Sequence, residues 1–365
     1  MRIALVVPGG VDRSAEFRII PALIALIERL AAAHEVFVFA LHQEADPAEW
    51  HVVGAQVYNI GHRQTRLQAV RAIAARHRAT PFTVVHAIWS GSCGLIAAVT
   101  GKLLGIPSLI HIAGGELVSL PEIGFGGSQT WRGRLREAWV LRAASAITAA
   151  SAPTIEKLLS MGFNAQRVPL GVDLKRWPPR DPVQRSAARP AKLIHVASLN
   201  RVKDQATLLR ALAALQQEGR NFQLDVVGED TLHGAIQAQA HGLGVTPRIR
   251  FHGFLTQRQL RPLLEAADLM ILTSRHETGP VVLLEAAIAG VPTVGTAVGH
   301  LVEWASDAAL AVPVGDWVAL GDAIGRLLDD DELRLRVARA AQARATSEDA
   351  DYTALRFQAL YQSVA

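Results

Sequence analysis

The chain has 365 residues, which is enough for two domains of ordinary size with substantial hydrophobic cores. Half of the residues are apolar, yet no uninterrupted apolar run approaches the length of a membrane-spanning helix. The single cysteine, Cys93, excludes an internal disulfide and a multi-cysteine metal site, which is typical of a reducing compartment. We therefore expect a cytoplasmic protein.

The formal net charge is +4, and the excess lies in the first half of the chain. Up to Lys175 there are 17 Lys and Arg against 12 Asp and Glu, whereas the remainder has 20 against 21. A basic first half favours peripheral contact with an anionic membrane or a phosphate-bearing acceptor, although a compositional bias toward arginine is the simpler explanation. Aromatic residues are few and do not interleave with basic clusters, so nucleic-acid binding is not expected.

Short β-rich runs alternate with helical patterns along the whole chain. In the first half we predict strands at 2–7, 35–40, 83–87, 108–112 and 146–148, with helices that include 15–33 and 91–104. In the second half we predict strands at 192–197, 223–227, 249–251, 268–272 and 292–295. This alternation indicates βαβ units and parallel sheets covered on both faces. The predicted fold class is therefore α/β, with two doubly wound Rossmann-like domains whose parallel sheets face each other across a cleft.

A proline-rich polar segment at 177–182, continuing to 189–190, is the only stretch with the composition of a linker. We place the first domain at 1–173 and the second at 174–347. We expect the C-terminal helix, within about 348–365, to pack back on the first domain. Open parallel sheets bind ligands beyond the carboxyl ends of their strands, so we expect the functional side chains there.

Two carboxylates, Glu277 and Glu285, flank the start of an otherwise apolar helix. Gly279-Pro280 precede this helix and Gly290-Val291-Pro292 end it, so we predict that it runs from about 280 to 289. A helix N-terminus beyond the carboxyl end of a strand is an anion site, because backbone N–H groups and the helix dipole point outward. Both glutamates are placed to accept hydrogen bonds from hydroxyl groups of a ligand whose phosphates rest on the helix start. The pattern indicates a sugar-nucleotide site.

A second polar loop, from Ser198 to Gln205, follows the predicted strand at 192–197. Arg201 and Lys203 lie at the start of the next helix, where a lysine supplies a point charge and an arginine a bidentate fork for a diphosphate. A solvated surface turn is the alternative. Together with the two glutamates, these residues are expected to converge at the carboxyl edge of one sheet.

A glycine pair, Gly9-Gly10, directly follows the first predicted strand. Glycine permits close approach of the backbone to a ligand, and an ordinary tight turn from strand to helix is the alternative. The Gly-x-Gly-x-x-Gly fingerprint is absent after this strand, which argues against a dinucleotide enzyme.

The order of these landmarks resembles a known family. Glu277-x7-Glu285 followed by Ala-Ala-Ile-Ala-Gly-Val-Pro resembles the hallmark of the retaining glycosyltransferases of family four, which have the GT-B fold. Further matching segments are 83–87, 103–107, 169–173, 251–254 and 266–268. Each segment alone is weak evidence, but together they occur in family order and span nearly the whole chain.

The resemblance implies that the second domain binds a nucleotide sugar and that the first domain lies on the acceptor side. In the family, Glu285 would accept hydrogen bonds from the ribose hydroxyls of the donor, and Glu277 would bind hydroxyls of the transferred hexose. Lys203 would neutralise the leaving diphosphate. The implied donor-binding residues are Gly9, Gly10, Ser198, Arg201, Lys203, Phe254, Glu277, Gly279, Val281 and Glu285. Of these, Gly9 and Gly10 would approach the diphosphate from the opposite domain, and the backbone near Phe254 would border the nucleobase.

The chemistry implied by the family is front-face substitution, in which the leaving phosphate helps to deprotonate the acceptor. Stabilising the charge of the departing nucleotide is then the main electrostatic requirement. The family uses no divalent metal, and we expect neither a metal site nor a cofactor; Asp349 and Asp351 are predicted to start a solvated helix.

The sequence departs from the family pattern in three places. Where the usual Gly-Arg-Leu pattern supplies a phosphate-binding arginine, this sequence has Ser198. Arg201 is the available replacement for that arginine. Thr278-Gly279 replace the common Gly-aromatic pair. Ala113 stands in place of the usual histidine, and the nearest histidine, His111, lies two residues earlier on the same strand face. His111 either takes over the sugar contact, and is then catalytic together with Glu277 and Lys203, or packs inward.

The acceptor side is less clearly marked. Glu116 lies in a long glycine-rich segment at 114–127, and loops of this kind are commonly functional, so we assign it to donor or acceptor contact. His86 ends a strand near the same edge, where site-lining and core roles are equally supported. Arginines also recur along the helix that follows the glycine-rich segment, at Arg132, Arg134, Arg136 and Arg142. They form either a membrane or anionic-acceptor patch or, more simply, a solvated basic face.

The function predicted from the sequence is a metal-independent retaining glycosyltransferase. It would transfer a hexose from a UDP- or GDP-sugar to a glycan or lipid-linked saccharide in cell-envelope polysaccharide biosynthesis, in the cytoplasm with peripheral contact at the inner face of the membrane. The alternatives are a diverged, non-catalytic sugar-nucleotide-binding protein and a sugar-nucleotide epimerase or phosphorylase of the same fold.

Overall fold

The computed structural model describes residues 1–186, 188–305 and 307–365. These residues form two structural units, Met1–Asp173 with Glu348–Ala365, and Leu174–Ser347. Each unit contains one largely or wholly parallel sheet, with eight strands in the first and six in the second. Helices cover both faces of each sheet, so the predicted pair of doubly wound α/β domains is confirmed. Within the described ranges, no helix combines the length and the hydropathy that crossing a bilayer requires.

The first unit is built on a sheet in which the direction of winding of successive strands changes once. Its strands are β1 (Arg2–Val7), β2 (Glu35–Ala40), β3 (Ala48–Val52), β4 (Ala55–Asn59), β5 (Val84–Ile88), β6 (Ser108–Ile112), β7 (Ala146–Ala149) and β8 (Gln166–Arg167). Its first helices are α1 (Pro21–Ala31), α2 (Thr65–Ala79), α3 (Gly91–Leu104), α4 (Trp131–Ala143) and α5 (Ala152–Ser160). The strand order is β3-β4-β2-β1-β5-β6-β7-β8. The direction of winding therefore changes between β1 and β5, which places a ligand-binding switch point at the carboxyl ends of these two strands.

The helix predicted at 15–33 is shorter than the sequence pattern indicates. It begins at Pro21, because proline fits the first helical position but disfavours helical geometry in the residue before it. The preceding loop is held instead by Asp12, whose carboxylate accepts hydrogen bonds from the Ser14 backbone N–H at 3.0 Å and from Arg18 at 2.6 Å. The glycine pair at the end of β1 therefore leads into an irregular loop and not directly into a helix.

A short antiparallel hairpin, β3–β4, was not predicted from the sequence. Its two-residue turn is Val53-Gly54, and both residues have positive φ, at 40° and 87°. Such turns are normally signalled by Asn-Gly or Asp-Gly, and a valine in the first position hides the signal.

The two faces of the first sheet have different partners. Alternate residues, such as Val6, Val85 and Ile110, pack in one cluster with α2, α3 and α4. The residues between them, including His86 and His111, face the opposite layer and contact the C-terminal helix. This alternation follows directly from the two-residue period of a strand.

The C-terminal helix α13 (Ala350–Val364) belongs to the first unit, although it follows the second in sequence. Its N-cap is Asp349, which accepts a hydrogen bond from the Tyr352 backbone N–H at 2.8 Å. Thr353 donates to the Pro169 carbonyl at 2.7 Å. Phe357 is fully buried, with its ring centroid 4.7 Å from that of His86. The helix is thus fixed by a cap, a buried hydroxyl and an aromatic contact.

The second unit has the same architecture with fewer strands. Its strands are β9 (Ala191–Val196), β10 (Phe222–Val227), β11 (Ile249–Gly253), β12 (Leu269–Leu272), β13 (Thr293–Thr296) and β14 (Leu310–Val312). Its helices are α6 (Gln205–Gln217), α7 (Ala235–Gly242), α8 (Gln257–Glu265), α9 (Val281–Ile288), α10 (His300–Trp304), α11 (Trp317–Asp329) and α12 (Asp331–Ser347). The sheet order is β11-β10-β9-β12-β13-β14, and every pair is parallel. The winding reverses between β9 and β12.

The proline-rich segment predicted as a linker is packed against the second unit. Trp177 is 3% exposed, the Arg180 backbone N–H donates to the Ile288 carbonyl at 3.0 Å, and Gln342 donates to the Arg180 carbonyl at 2.7 Å. Its prolines prevent regular structure, yet its backbone groups find partners on α9 and α12. Composition alone therefore misrepresents this segment as a free tether.

Replacing Phe357 by alanine should strongly destabilise the first unit, whereas replacing Leu355 on the same helix should not. Phe357 is fully buried, so its truncation should lower the free energy of unfolding by about 3–5 kcal/mol. Leu355 is 64% exposed and should change it by less than about 0.5 kcal/mol. Urea unfolding followed by circular dichroism compares the two variants. Equal losses of unfolding free energy in the two variants would show that α13 is not packed as described.

Candidate functional site

The candidate donor site lies at the switch point of the second unit. The two loops beyond the carboxyl ends of β9 and β12, at 197–204 and 273–280, are neighbours because the strands are paired in the sheet. The Arg275 backbone N–H donates to the Val202 carbonyl at 2.7 Å, and Thr273 Oγ1 donates to the Lys203 carbonyl at 2.9 Å. Open α/β sheets bind ligands at such a point, and here the two loops are joined into one platform.

An ion pair between Lys203 and Glu277 connects the loops through their side chains. Lys203 Nζ lies 2.5 Å from Glu277 Oε1, and Ser274 Oγ donates to the same oxygen at 2.6 Å. The Glu277 side chain is 13% exposed and that of Lys203 is 26% exposed. The sequence predicted that these two residues converge, and the structure brings them into direct contact. Ser274 was not predicted, because a serine between a strand and a loop carries no distinctive pattern.

The start of α6 is occupied by a side chain of the protein itself. Asp204 has φ of 46° and caps the helix, accepting a hydrogen bond from Thr207 Oγ1 at 2.9 Å. An acidic cap accepts from an amide at the helix start and faces the positive end of the dipole, so it competes with a phosphate for this position. By contrast, α9 begins at Val281 without a side-chain cap. The sequence predicted an anion site at this helix start, and no side chain caps it.

Glu285 is buried in the first turns of α9. It is 6% exposed, and its Oε1 accepts a hydrogen bond from Gln257 Nε2 at 2.7 Å. Burial raises the pKa of Glu285 to about 7, and the Gln257 hydrogen bond acts in the opposite direction. Gln257 was not predicted. It lies three residues beyond Phe254, which is 58% exposed, so Glu285 is joined to the segment expected to border a nucleobase.

The remaining predicted residues of this unit lie around the same platform. The Ser198 carbonyl accepts a hydrogen bond from Gln205 Nε2 at 3.1 Å, and Arg201 is exposed. Gly279 and Val281 are half-buried at the start of α9. The carbonyls of the neighbouring residues 277 and 278 come close to Gly299, where a Cβ would meet each oxygen at 3.0 Å. A glycine is therefore needed there, both for this approach and for its φ of 51°.

A buried histidine lies beneath the Lys203–Glu277 pair. His195 is 1% exposed; its Nδ1 lies 2.9 Å from the Ile271 carbonyl and its Nε2 3.2 Å from Gln205 Nε2. Burial is the main cause that lowers the pKa of His195 to about 4; the Lys203 charge acts in the same direction, and the Ile271 hydrogen bond and Glu277 act against it. His195 is thus a neutral, hydrogen-bonded core residue that supports the two loops.

The two histidines assigned to the site of the first unit are core residues. His111 is fully buried, its Nδ1 lies 2.9 Å from Thr148 Oγ1, and burial lowers its pKa to about 3. His86 is also fully buried, with Nδ1 2.7 Å from the Tyr361 hydroxyl. Both rings contact Phe357 of α13. The expectation that His111 contacts the sugar and that His86 lines the acceptor side is corrected, since neither ring has a surface that a ligand reaches.

Backbone N–H groups at the glycine pair of the first unit are already hydrogen-bonded to a side chain. Gln43 Oε1 accepts hydrogen bonds from the backbone N–H groups of Gly10 at 2.7 Å and Val11 at 3.0 Å. Gly10 has φ of 79°, and a Cβ there would meet Ile20 Cγ1 at 2.5 Å. The glycines therefore serve the packing of this loop, and a phosphate reaches these amides only by displacing Gln43.

A cavity of about 450 Å³ lies at the switch point of the first unit. Its lining includes Pro8, His42, Trp89, Cys93, Glu116 and Phe125. Glu116 accepts hydrogen bonds from the backbone N–H groups of Ser90 at 3.0 Å and Gly114 at 2.8 Å, so the predicted acceptor-side carboxylate borders this cavity. Burial raises its pKa, and neighbouring Glu137 acts in the same direction. Trp89, with φ of 68°, was not predicted; its position directly after β5 is the only signal.

No group of three or more His, Cys, Asp or Glu side chains within the described residues has the geometry to hold a metal ion. The platform of the second unit carries the Lys203–Glu277 pair and, beside it, the Arg275–Asp204 pair at 3.5 Å, an arrangement of charges that suits a phosphate and hydroxyl groups.

Comparison with known proteins assigns both units. Residues 180–344 match the family described as glycosyl transferases group 1, and residues 21–171 match the glycosyl transferase 4-like domain. Glycogen synthase of Mycobacterium tuberculosis is 31% identical over 218 residues, covering 58% of this chain and 52% of that protein. D-inositol 3-phosphate glycosyltransferase of Xylanimonas cellulosilytica is 32% identical over 225 residues, covering 57% and 54%. The chain thus spans about half the length of these curated relatives.

Solved structures agree on the fold. Sucrose-phosphate synthase from Thermosynechococcus elongatus has a TM-score of 0.82 at 21% identity, covering 100% of this chain and 99% of that one. Anabaena HepE in complex with UDP-glucose has a TM-score of 0.75 at 20% identity, with both chains fully covered. The fold and the matched domains are those of GT-B glycosyltransferases. The second unit matches a group 1 glycosyltransferase domain, and the first unit matches a glycosyltransferase 4-like domain.

Replacing Glu285 by glutamine should flatten the dependence of stability on pH. Its pKa of about 7 lies above the ordinary 4.5, so the folded chain retains a proton that the unfolded chain releases. The free energy of unfolding therefore falls as pH rises from about 4.5 to 7 and then levels. The variant should be more stable than the wild type at pH 8, by at most about 3 kcal/mol, and similar at pH 4.5.

Thermal unfolding between pH 4.5 and 8 measures this difference. Glu332→Gln is the matched control, because the Glu332 side chain is 87% exposed. Identical pH profiles for the wild type and Glu285→Gln would contradict the raised pKa.

Proposed function

We propose that the protein is a retaining glycosyltransferase that transfers a hexose from a UDP- or GDP-sugar without a divalent metal. The observation that carries the proposal is the Lys203–Glu277 pair at the switch point of a group 1 domain, with buried Glu285 on the adjoining helix. In this proposal Lys203 serves the diphosphate, Glu277 the hexose and Glu285 the ribose of a nucleotide sugar.

In this proposal the ion pair is exchanged when the donor binds. A diphosphate carries more negative charge than one carboxylate, so Lys203 turns toward the phosphates and releases Glu277 for the hydroxyls of the hexose. The uncapped first turn of α9 supplies backbone N–H groups to the same phosphates. Lys203 then stabilises the charge that develops on the leaving nucleotide, which is the electrostatic work the reaction requires.

Glu285 recognises the ribose in the same exchange. Its hydrogen bond from Gln257 keeps one carboxylate oxygen oriented in the unliganded protein. Ribose hydroxyls donate to an ionised carboxylate better than to a protonated one, so donor affinity should rise as pH increases through about 7. HepE was solved with UDP and with UDP-glucose, which supports a uridine donor for a chain of this fold.

The acceptor is proposed to be a glycan or lipid-linked saccharide bound by the first unit. The cavity beside Trp89, Phe125 and Glu116 combines aromatic walls with one carboxylate, a lining that suits a sugar ring. Glu116 holds the cavity wall through Ser90 and Gly114 and offers its carboxylate to an acceptor hydroxyl. We place the reaction in the cytoplasm, in keeping with a nucleotide-sugar donor.

A diverged sugar-nucleotide-binding protein is the second candidate. It is favoured by Ala113, for which the buried His111 offers no replacement, and by Ser198, whose only nearby substitute is the exposed Arg201. Such a protein would bind a donor and neither hydrolyse nor transfer its sugar.

Variants of the platform should separate donor binding from transfer. Lys203→Ala should lower kcat/KM by about 100- to 1000-fold, because it removes the charge that stabilises the leaving group. Glu285→Ala should weaken donor affinity by about 10- to 100-fold, through the loss of hydrogen bonds to a charged acceptor. A thermal-shift screen of UDP-, GDP- and ADP-sugars first identifies the donor. Calorimetry then measures donor affinity of each variant, and a transfer assay measures kcat/KM.

Lys192→Ala is the matched control, since Lys192 is an exposed lysine of the same unit. Melting temperatures identify any variant that has lost its fold. Wild-type donor affinity in Glu285→Ala would refute the ribose assignment, and donor binding without turnover on any acceptor pool would favour the second candidate.

Chelation and product stereochemistry test the remaining parts of the proposal. Activity should persist within about twofold in excess EDTA, because Lys203 supplies the charge a metal would otherwise supply. Proton NMR of the product should show the anomeric configuration of the donor. Loss of activity that added Mg²⁺ or Mn²⁺ restores would contradict metal independence, and the opposite anomer would contradict retention.

A further inference from the structure

Helix α4 presents an apolar stripe that the first unit does not cover. Trp131 is 60% exposed, Leu135 is 61% exposed and Trp139 is 44% exposed. Their spacing of four residues places all three on one face of the helix. Its opposite side is buried and includes Gly133, Glu137 and Val140. Two tryptophans and a leucine in one exposed row form a surface unlike the scattered apolar residues of ordinary protein surfaces.

Arginines flank this stripe on both sides. At 100° per residue, Arg134 lies on one side of the row, Arg132 and Arg136 lie on the other, and Arg142 continues beyond its end. The Arg132 guanidinium lies 5.3 Å from the Trp131 ring centroid. Arg132, Arg134 and Arg142 are exposed, whereas Arg136 is half-buried and its charge acts to lower the pKa of the neighbouring Glu137. The only acidic residue of α4, Glu137, is 2% exposed, so the outward charge of the helix is entirely positive.

We propose that this face of α4 binds an anionic lipid surface. Tryptophan rings favour the boundary between headgroups and acyl chains, and arginine side chains extend from there to lipid phosphates. The charge pattern selects the partner, because a second copy of this chain docked on the same face would oppose arginine to arginine. The basic first half of the sequence adds a weaker attraction of the same sign.

The beginning of α4 is tied to the cavity of the first unit. Thr130 caps the helix, accepting a hydrogen bond from the Gly133 backbone N–H at 3.0 Å. Ser128 links this end to the loop beside the cavity, donating to the Glu116 carbonyl at 3.0 Å while its own carbonyl accepts from Arg134 at 3.1 Å. A membrane bound by α4 therefore lies beside the Glu116 loop. The next step rests on the proposed function: the acceptor of the transfer is presented to the cavity from that lipid surface.

Vesicle sedimentation tests the lipid contact without using activity. The full chain is mixed with vesicles of phosphatidylcholine alone or with 30 mol% phosphatidylglycerol, in about 0.1 M salt where charges act over roughly 10 Å. The wild type should partition onto the anionic vesicles at least tenfold more strongly than onto the neutral ones. Two double variants of α4 should each reduce that partitioning by at least tenfold: Trp131→Ala/Trp139→Ala and Arg132→Glu/Arg134→Glu.

Matched variants control for hydrophobicity and charge. Trp317→Ala/Leu355→Ala removes exposed apolar side chains elsewhere, and Arg71→Glu/Arg339→Glu makes the same charge change on other helices. Both should sediment within about twofold of the wild type. Calorimetry with the nucleotide sugar is run on every variant, so failure of donor binding and failure of lipid binding are separate results.

Three outcomes would overturn the lipid contact. The first is a wild type that fails to sediment with anionic vesicles, and the second is α4 variants that sediment like the wild type. The third is a wild-type dimer, seen by analytical ultracentrifugation, that dissociates in Trp131→Ala/Trp139→Ala while vesicle binding is absent.

Discussion

The pairing of β9 with β12 is the constraint on which the candidate site depends. These strands are far apart in sequence, but they lie side by side where the winding of the second sheet reverses. Their loops are therefore joined by backbone hydrogen bonds and by the Lys203–Glu277 ion pair. A partly buried pair of this kind contributes little net stability, because desolvation offsets the Coulomb attraction. In the proposed function, this pair holds a cation and a carboxylate ready for exchange with the donor.

Burial assigns different roles to side chains of the same type. Glu285 and Glu277 both belong to the platform, but one accepts a bond from an amide and has a raised pKa, whereas the other is paired with a lysine. The histidines show the same principle in the opposite direction. His86, His111 and His195 lie in strands near the site edges, yet each is enclosed and hydrogen-bonded, which makes them supports and not ligand contacts.

The first unit depends on a helix that comes from the far end of the chain. By covering one face of the sheet, α13 buries the two histidines and leaves the carboxyl edge to loops. The glycine-rich loop around Glu116 then forms one wall of a cavity and is continued by α4. A single stretch of chain therefore joins the cavity to the exposed tryptophan and arginine face. This continuity connects the exposed face of α4 physically to the cavity of the glycosyltransferase 4-like domain.

The two doubly wound domains and the strand–loop–helix around Glu277 and Glu285 could be predicted from the sequence, because two-residue and 3.6-residue periods and glycine-proline boundaries are local signals. The convergence of Lys203 with Glu277 could also be predicted, since parallel strands share an edge. Three contacts became visible only in the folded chain: Gln257 bonds to Glu285, Gln43 accepts from the amides of Gly10 and Val11, and His111 faces α13. Each contact depends on which face of a strand a distant helix covers or on how a loop folds back, and the residues near the site do not encode either property.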